Sequence, residues 1–170
     1  MRINEVITES LSRVAYHYTT PLPALKILKS GNFELSSALG SIEQQYMPQG
    51  KPYFMSATRT KTGGYHQGAV TRGVMFVLDG NWFNQHYKSG PIDYWGNRGT
   101  GMRPSEAEDR IYSSEPTIPI GGVTAVHVFL NVAEDDKEQQ KHDQSIVREL
   151  LIAAKVRGIP TYFYNDKNAW

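Results

Sequence analysis

Five consecutive residues without a polar side chain, Val74-Met75-Phe76-Val77-Leu78, opened by Gly73 and closed by Asp79, restrict this chain more than any other stretch. A short, continuous apolar run bounded by turn formers reads as a strand buried on both faces. Such a strand must be central in its sheet. The chain therefore needs other strands to flank it and further elements to cover it.

Flanking strands are found on both sides in sequence. Val14-Ala15-Tyr16-His17-Tyr18-Thr19 alternates with period two, placing Ala15, His17 and Thr19 on one face and Val14, Tyr16 and Tyr18 on the other. His17 is thus expected to point inward. A buried imidazole without a hydrogen-bond partner is costly, so either the fold or a ligand has to satisfy it. Residues 52–59 read as a second strand whose apolar front gives way to Ser56, Thr58 and Arg59; residues 123–130 and 161–164 supply two more. Helical spacing appears in residues 2–12 (Ile3, Val6, Ile7, Leu11) and 21–29, stopped by Gly31, and again from residue 144 (Ile146, Val147, Leu150, Leu151, Ala154), ended by Gly158 and Pro160. Asp79 or Asn81 can cap a short helix running to Tyr87. Residues 36–51, 61–73 and 91–104 read as loops, the last two rich in glycine, and residues 134–143 form a charged stretch.

Strands clustered in the middle without regular strand-helix alternation favour an α+β architecture over a doubly wound parallel sheet. With 170 residues, the chain is long enough for one well-filled core and too short for two large domains. We expect a single domain over 1–170, with an amino-terminal helix at 1–12, a core at 14–130, and a carboxy-terminal helix and strand at 144–164.

Several function classes are disfavoured at once. A formal net charge of +1 supplies no general footprint for binding nucleic acid through phosphates alone. The absence of cysteine removes disulfides, thiol nucleophiles and Cys-ligated zinc. No apolar run approaches the roughly 18 residues of a membrane span, and the first five residues lack a signal peptide's apolar core, so no membrane contact and a cytoplasmic location are expected. There is no phosphate loop, no Gly-x-Ser-x-Gly elbow and no His-Glu-x-x-His. The five histidines contain no i, i+4 pair, which argues against a metal site. The glycines between Gly96 and Gly101 follow no strand, as a dinucleotide fingerprint would require.

What remains is a set of polar insertions at strand-like positions: His17-Tyr18-Thr19, then Ser56-Ala57-Thr58-Arg59, then Glu106-Ala107-Glu108. Read as a strand, the last segment puts Glu106, Glu108 and Arg110 on one face, opposite Ala107, Asp109 and Ile111. Read as a helix start capped by Ser105, its acids would merely complement a helix dipole.

In order and residue type, these insertions resemble the motifs of the ADP-ribosyltransferase fold family, most of all its branches with a His-x-Thr opening. Those include DNA-modifying ADP-ribosyltransferase toxins and NAD-using RNA 2'-phosphotransferases. The resemblance spans roughly residues 14–130. It implies split central β-sheets flanked by short helices and NAD as a substrate. It further implies His17, with Tyr18 and Thr19, at the adenosine-side ribose, Ser56 and Thr58 along the nicotinamide side, and Glu108 as the catalytic acid with Glu106 as its rival. Arg59 is assigned to the pyrophosphate or to that acid, and Tyr53 is one of several aromatics available to stack on nicotinamide. The pairing of a His opening with Ser56-x-Thr58 combines features of two branches.

That chemistry suits a single carboxylate. Nicotinamide leaves a pyridinium as a neutral group, so no general acid is needed, but the sugar cation left behind must be stabilised. A carboxylate about 4 Å away at an effective dielectric of about 20 contributes roughly 4 kcal/mol, about a thousandfold in rate. The acceptor implied is a macromolecule, protein or nucleic acid. The first residues also resemble openings of some bacteriophage proteins; in a phage-encoded chain the location would be the host cytoplasm. An RNA 2'-phosphotransferase-like enzyme and a non-catalytic interaction or virion-associated protein are the alternatives.

Overall fold

The computed structural model describes residues 10–37, 44, 47–59, 73–92, 108–129 and 137–164. In chain order these form β1 (Val14–Thr19), α1 (Pro21–Ser30), β2 (Asn32–Glu34), β3 (Ser36–Ser37), β4 (Tyr53–Ala57), β5 (Val74–Asp79) and α2 (Gly80–His86). There follow β6 (Lys88–Ile92), β7 (Glu108–Ser113), β8 (Thr117–Pro119), a single 3-10 turn (Ile120–Gly122), β9 (Val123–Phe129), α3 (Lys137–Val156) and β10 (Thr161–Tyr164).

The apolar run at 74–78 becomes β5, and it is central. One four-stranded sheet has the order β1-β5-β9-β10. Its first three strands are antiparallel, and β10 joins parallel to β9. Val74, Phe76 and Leu78 face the main core with Ala15, Val126 and Val128; Met75 points the other way, into a smaller cluster with Tyr18 and Phe129. Complete burial of side chains this large contributes about 1.5–3 kcal/mol apiece. The main core is closed by Ala24, Leu25 and Leu28 of α1 and by Val147, Leu150 and Ala154 of α3.

A second four-stranded sheet, β3-β4-β7-β6, is antiparallel throughout and contributes Met55, Ala57 and Ile111 to the same core. Among the described residues one backbone bridge joins the two sheets. Tyr16 of β1 and Thr58, just past β4, exchange both backbone hydrogen bonds, at 2.8 and 2.9 Å. A two-stranded ribbon of β2 and β8 completes a mixed α+β fold.

Local chemistry explains the borders. Pro21 begins α1, and Gly31 ends it with φ of 78°. The Arg157 guanidinium donates to the carbonyls of Leu28 and Lys29, satisfying the end of α1 from the far end of α3. Asp79 caps α2, accepting from the backbone of Asn81 at 3.0 Å and Trp82 at 3.2 Å. Gly80 is required there because a Cβ would lie 1.7 Å from the carbonyl oxygen of Ser12.

Two elements depart from the sequence reading. Residues 88–92 form a strand although Gly90-Pro91 reads as a breaker; β6 is an edge strand, where a missing N–H costs no ladder bond. Helix α3 begins at Lys137 rather than at residue 144; Glu138, Lys141 and His142 are solvent-facing and form no apolar stripe from which the earlier start could be read. From Glu108 to Ser113 the acidic segment is a strand, the first of the two readings that the sequence left open. The helix expected at 1–12 falls mostly outside the described residues, and residues 10–12 are not helical.

Candidate functional site

Strand β4 carries Phe54 and Ser56 on one face and Met55 and Ala57 on the other. Its neighbour β7 is in register, Ser56 opposite Arg110 and Phe54 opposite Tyr112. Glu108, Arg110 and Tyr112 therefore share a face with Ser56 and Phe54, whereas Asp109 and Ile111 share the other with Ala57 and Met55. This is the alternation expected from the sequence.

Ser56 is the junction. Its Oγ donates to Glu108 Oε1 at 2.7 Å. Its carbonyl oxygen lies 2.8 Å from His17 Nδ1. A carbonyl can only accept, so Nδ1 carries the proton and, in the neutral ring, Nε2 is the acceptor nitrogen. The imidazole is further held edge-on to Phe33, with ring centroids 5.4 Å apart, and lies 6.4 Å from Phe76. One serine thus links a histidine of the first sheet to a glutamate of the second, just beyond the Tyr16–Thr58 bridge.

Glu108 is 2% exposed. Arg110, equally buried, donates from Nε to Glu108 Oε1 at 3.0 Å and places its guanidinium carbon 3.7 Å from the Phe54 ring centroid. Beside them burial pushes the Tyr112 phenol up to about 12, with Glu108 adding to the rise and Arg110 opposing it. On the opposite face, Asp109 is fully buried and takes a two-pronged ion pair from Arg59, Nε to Oδ2 at 3.0 Å and the terminal nitrogen to Oδ1 at 2.5 Å.

A cleft of about 640 Å³ opens next to His17 and Thr19. Pro23, Lys26 and Ile27 of α1 form one wall, and Asn32 and Glu34 of β2 another. A groove of similar volume, about 670 Å³, lies between α1 and α3 and is lined by Leu28, Ile152, Ala153 and Val156 with Lys29, Glu149 and Arg157 at its rim. In the groove, Lys29 pairs with Glu149 at 2.7 Å and Arg157 caps α1, so its charged groups have structural tasks. The cleft at His17 is the one that adjoins the linked polar residues.

The structure links His17, Ser56 and Glu108 by hydrogen bonds, puts His17 and Thr19 but neither Ser56 nor Glu108 in the lining of the cleft, and separates the remaining candidates. Tyr18 is on the opposite face of β1, packed with Met75 and Phe129, where burial raises its phenol pKa. Tyr53 begins β4, on the face opposite Ser56, paired across the ladders with Ser37 and Ser113. Thr58 is wholly buried in the bridge between the sheets. Arg59 is paired with Asp109, on the face of β7 opposite Glu108. Glu106 lies outside the described residues. Arg110, Lys26, Asn32 and Glu34 were not singled out from sequence; for Arg110 the signal was present in the Glu-x-Arg alternation, whereas the cleft residues carry none.

The site and fold define a mixed α+β domain with a buried, serine-bridged acid beside an open polar cleft. Compared with protein-family models and with curated protein sequences, the chain matches none. Among the described residues no helix is long and apolar enough to cross a membrane.

Proposed function

We propose that this protein is an NAD-dependent ADP-ribosyltransferase that transfers ADP-ribose to a macromolecular acceptor, protein or nucleic acid. The observation that carries the reading is the chain of contacts from His17 through Ser56 to Glu108, at the edge of a cleft. Three residue types drawn from distant parts of the sequence are linked in series through Ser56, which supports the reading.

In this reading the dinucleotide lies along the cleft, with His17 Nε2 facing a ribose hydroxyl and Lys26 available to the pyrophosphate charge. The bond between the ribose carbon and nicotinamide breaks with its electron pair going to the pyridine nitrogen, so nicotinamide departs neutral. Glu108 stabilises the positive charge left on the sugar. An acceptor oxygen or nitrogen then forms the new bond to that carbon and loses its proton to the surrounding solvent or to a basic group. Because Glu108 is 2% exposed, productive binding requires a local displacement that opens a path to it. The low dielectric that burial provides strengthens the charge interaction once the site is filled.

Incubation with labelled NAD and lysate protein, DNA and RNA tests the proposal directly. Nicotinamide release together with label on one acceptor class is expected, and its abolition in Glu108→Gln. Release from none of the mixtures, with no rise in melting temperature at saturating NAD, would reject it.

A second reading, a non-catalytic interaction protein, draws support from Ile152 and Val156, which are 64% and 82% exposed on α3 beside the apolar groove. It predicts no NAD-dependent thermal shift.

A further inference from the structure

We infer that Arg110 is a positioning residue for the acid, holding Glu108 charged and in one orientation; this rests on the transferase reading above. Two donors converge on a single oxygen, with Ser56 Oγ 2.7 Å and Arg110 Nε 3.0 Å from Glu108 Oε1. With Oε1 fixed by both, the carboxylate plane has little rotational freedom and its second oxygen is set in one direction.

Arg110 is itself held from both sides. Its guanidinium lies 3.7 Å from the centroid of Phe54, a stacking that a planar, weakly hydrated cation accepts and a lysine ammonium would not reproduce. Phe54 and Ser56 on β4, with Glu108 and Arg110 on β7, make a block two residues wide on each strand, locked by the Ser56–Arg110 register. Among the described residues, its other charged or titratable neighbours include Tyr112 on the same face, Lys88 opposite Tyr112 on β6, and His17 behind the Ser56 carbonyl. The Asp109–Arg59 pair occupies the reverse face of β7.

Stability alone does not explain this block. An apolar pair of similar volume generally stabilises a buried position as well as an ion pair or better. The reverse face of the same two strands shows the apolar solution at Met55, Ala57 and Ile111. A fully buried Glu-Arg pair two residues apart on one strand therefore points to a need for a charged, fixed acid.

The test uses Arg110→Gln and Arg110→Lys in the full chain, each checked for folding by circular dichroism. Two readouts are taken: titration of the Glu108 carboxyl by carbon-13 NMR, assigned with Glu108→Gln, and kcat and KM for nicotinamide release across pH. In Arg110→Gln the carboxyl should protonate at least about one pH unit higher than in the wild type, and kcat at neutral pH should fall about tenfold or more with KM for NAD within about twofold. Arg110→Lys, which keeps charge but loses the Nε contact and the stack, should restore most of the ionisation and little of the kcat. Unchanged titration in a folded Arg110→Gln overturns the inference. So does loss of NAD binding in step with kcat, which marks a merely structural role. If the wild type releases no nicotinamide, the transferase reading fails, while the NMR titration still decides whether Arg110 governs Glu108.

Discussion

β5 and β7 are both six-residue strands, and both are inaccessible to solvent along most of their length, yet they are buried for opposite reasons. β5 is Val-Met-Phe-Val-Leu-Asp: its first five side chains lose nothing by leaving water, and any well-filled neighbour satisfies them. β7 is Glu-Asp-Arg-Ile-Tyr-Ser, buried at every position although its first three residues are charged. Each charge has a partner: Ser56 of β4 and Arg110 of the same strand for Glu108, Arg59 for Asp109, and Phe54 of β4 for Arg110. The first strand is specified by its own composition. The second is specified by one distant segment, residues 54–59, arriving in register, the kind of arrangement that functional sites require and stability does not.

The contrast can be broken by substitution. Phe76→Ala in β5 should cost about 3–5 kcal/mol, a large share of a small domain's stability, whereas Phe76→Leu should cost about 1 kcal/mol, both read from urea unfolding. Equal costs for the two would mean that shape rather than apolar volume governs β5. Glu108→Gln in β7 should behave inversely: nicotinamide release falls about 10²–10³-fold, while the melting temperature moves only a few degrees, since Gln keeps the shape and one acceptor oxygen. A proportionate loss of folding and activity would place Glu108 with the structural residues.

Smaller effects sharpen the picture. Arg59→Ala leaves Asp109 buried without its ion pair; because Arg59 is partly solvent-exposed, with side-chain exposure of 40%, the expected loss is about 2 kcal/mol, recovered in large part by the double variant with Asp109→Asn. Failure of the double variant to recover would show that the pair is not coupled. The smallest effect concerns Tyr112, whose phenol is pushed up to about 12 by burial. A tyrosine with a folded pKa above its unfolded value of about 10 binds its proton more tightly in the native state, so its contribution is intact below pH 10 and is lost as pH rises towards 12. Melting temperature should decline over that window, and Tyr112→Phe should flatten the decline. Tyr18 and Tyr87, both raised by burial, add to the decline.

Much of this was legible beforehand, and the reasons differ by element. β1, β4, β5, β9 and β10 follow from alternation or continuous apolarity, and α1 and α2 from Pro21, Gly31 and Asp79, because those signals act within a few residues. The three motif positions His17, Ser56 and Glu108 were also legible, as polar residues set into strands. Tyr18 comes to the candidates with the His17-Tyr18-Thr19 motif and Tyr53 as an aromatic able to stack; the period of two puts Tyr18 on the face of β1 opposite His17 and Tyr53 on the face of β4 opposite Ser56. β6 was hidden because edge position, which excuses Gly90-Pro91, is a property of the sheet and not of the segment.

The amino-acid sequence alone determined the central strand, the inward face of His17 and the alternation that puts Glu108 with Arg110. Those are local consequences of backbone geometry and of the cost of wetting apolar side chains. Only the tertiary structure decided that Ser56 would stand between the histidine and the acid, that Arg59 would turn to Asp109, and that the polar cleft would form between α1 and β2. Pairings of that kind join residues 39 to 52 positions apart, and no signal within a segment encodes which distant partner will complete it; register between strands does.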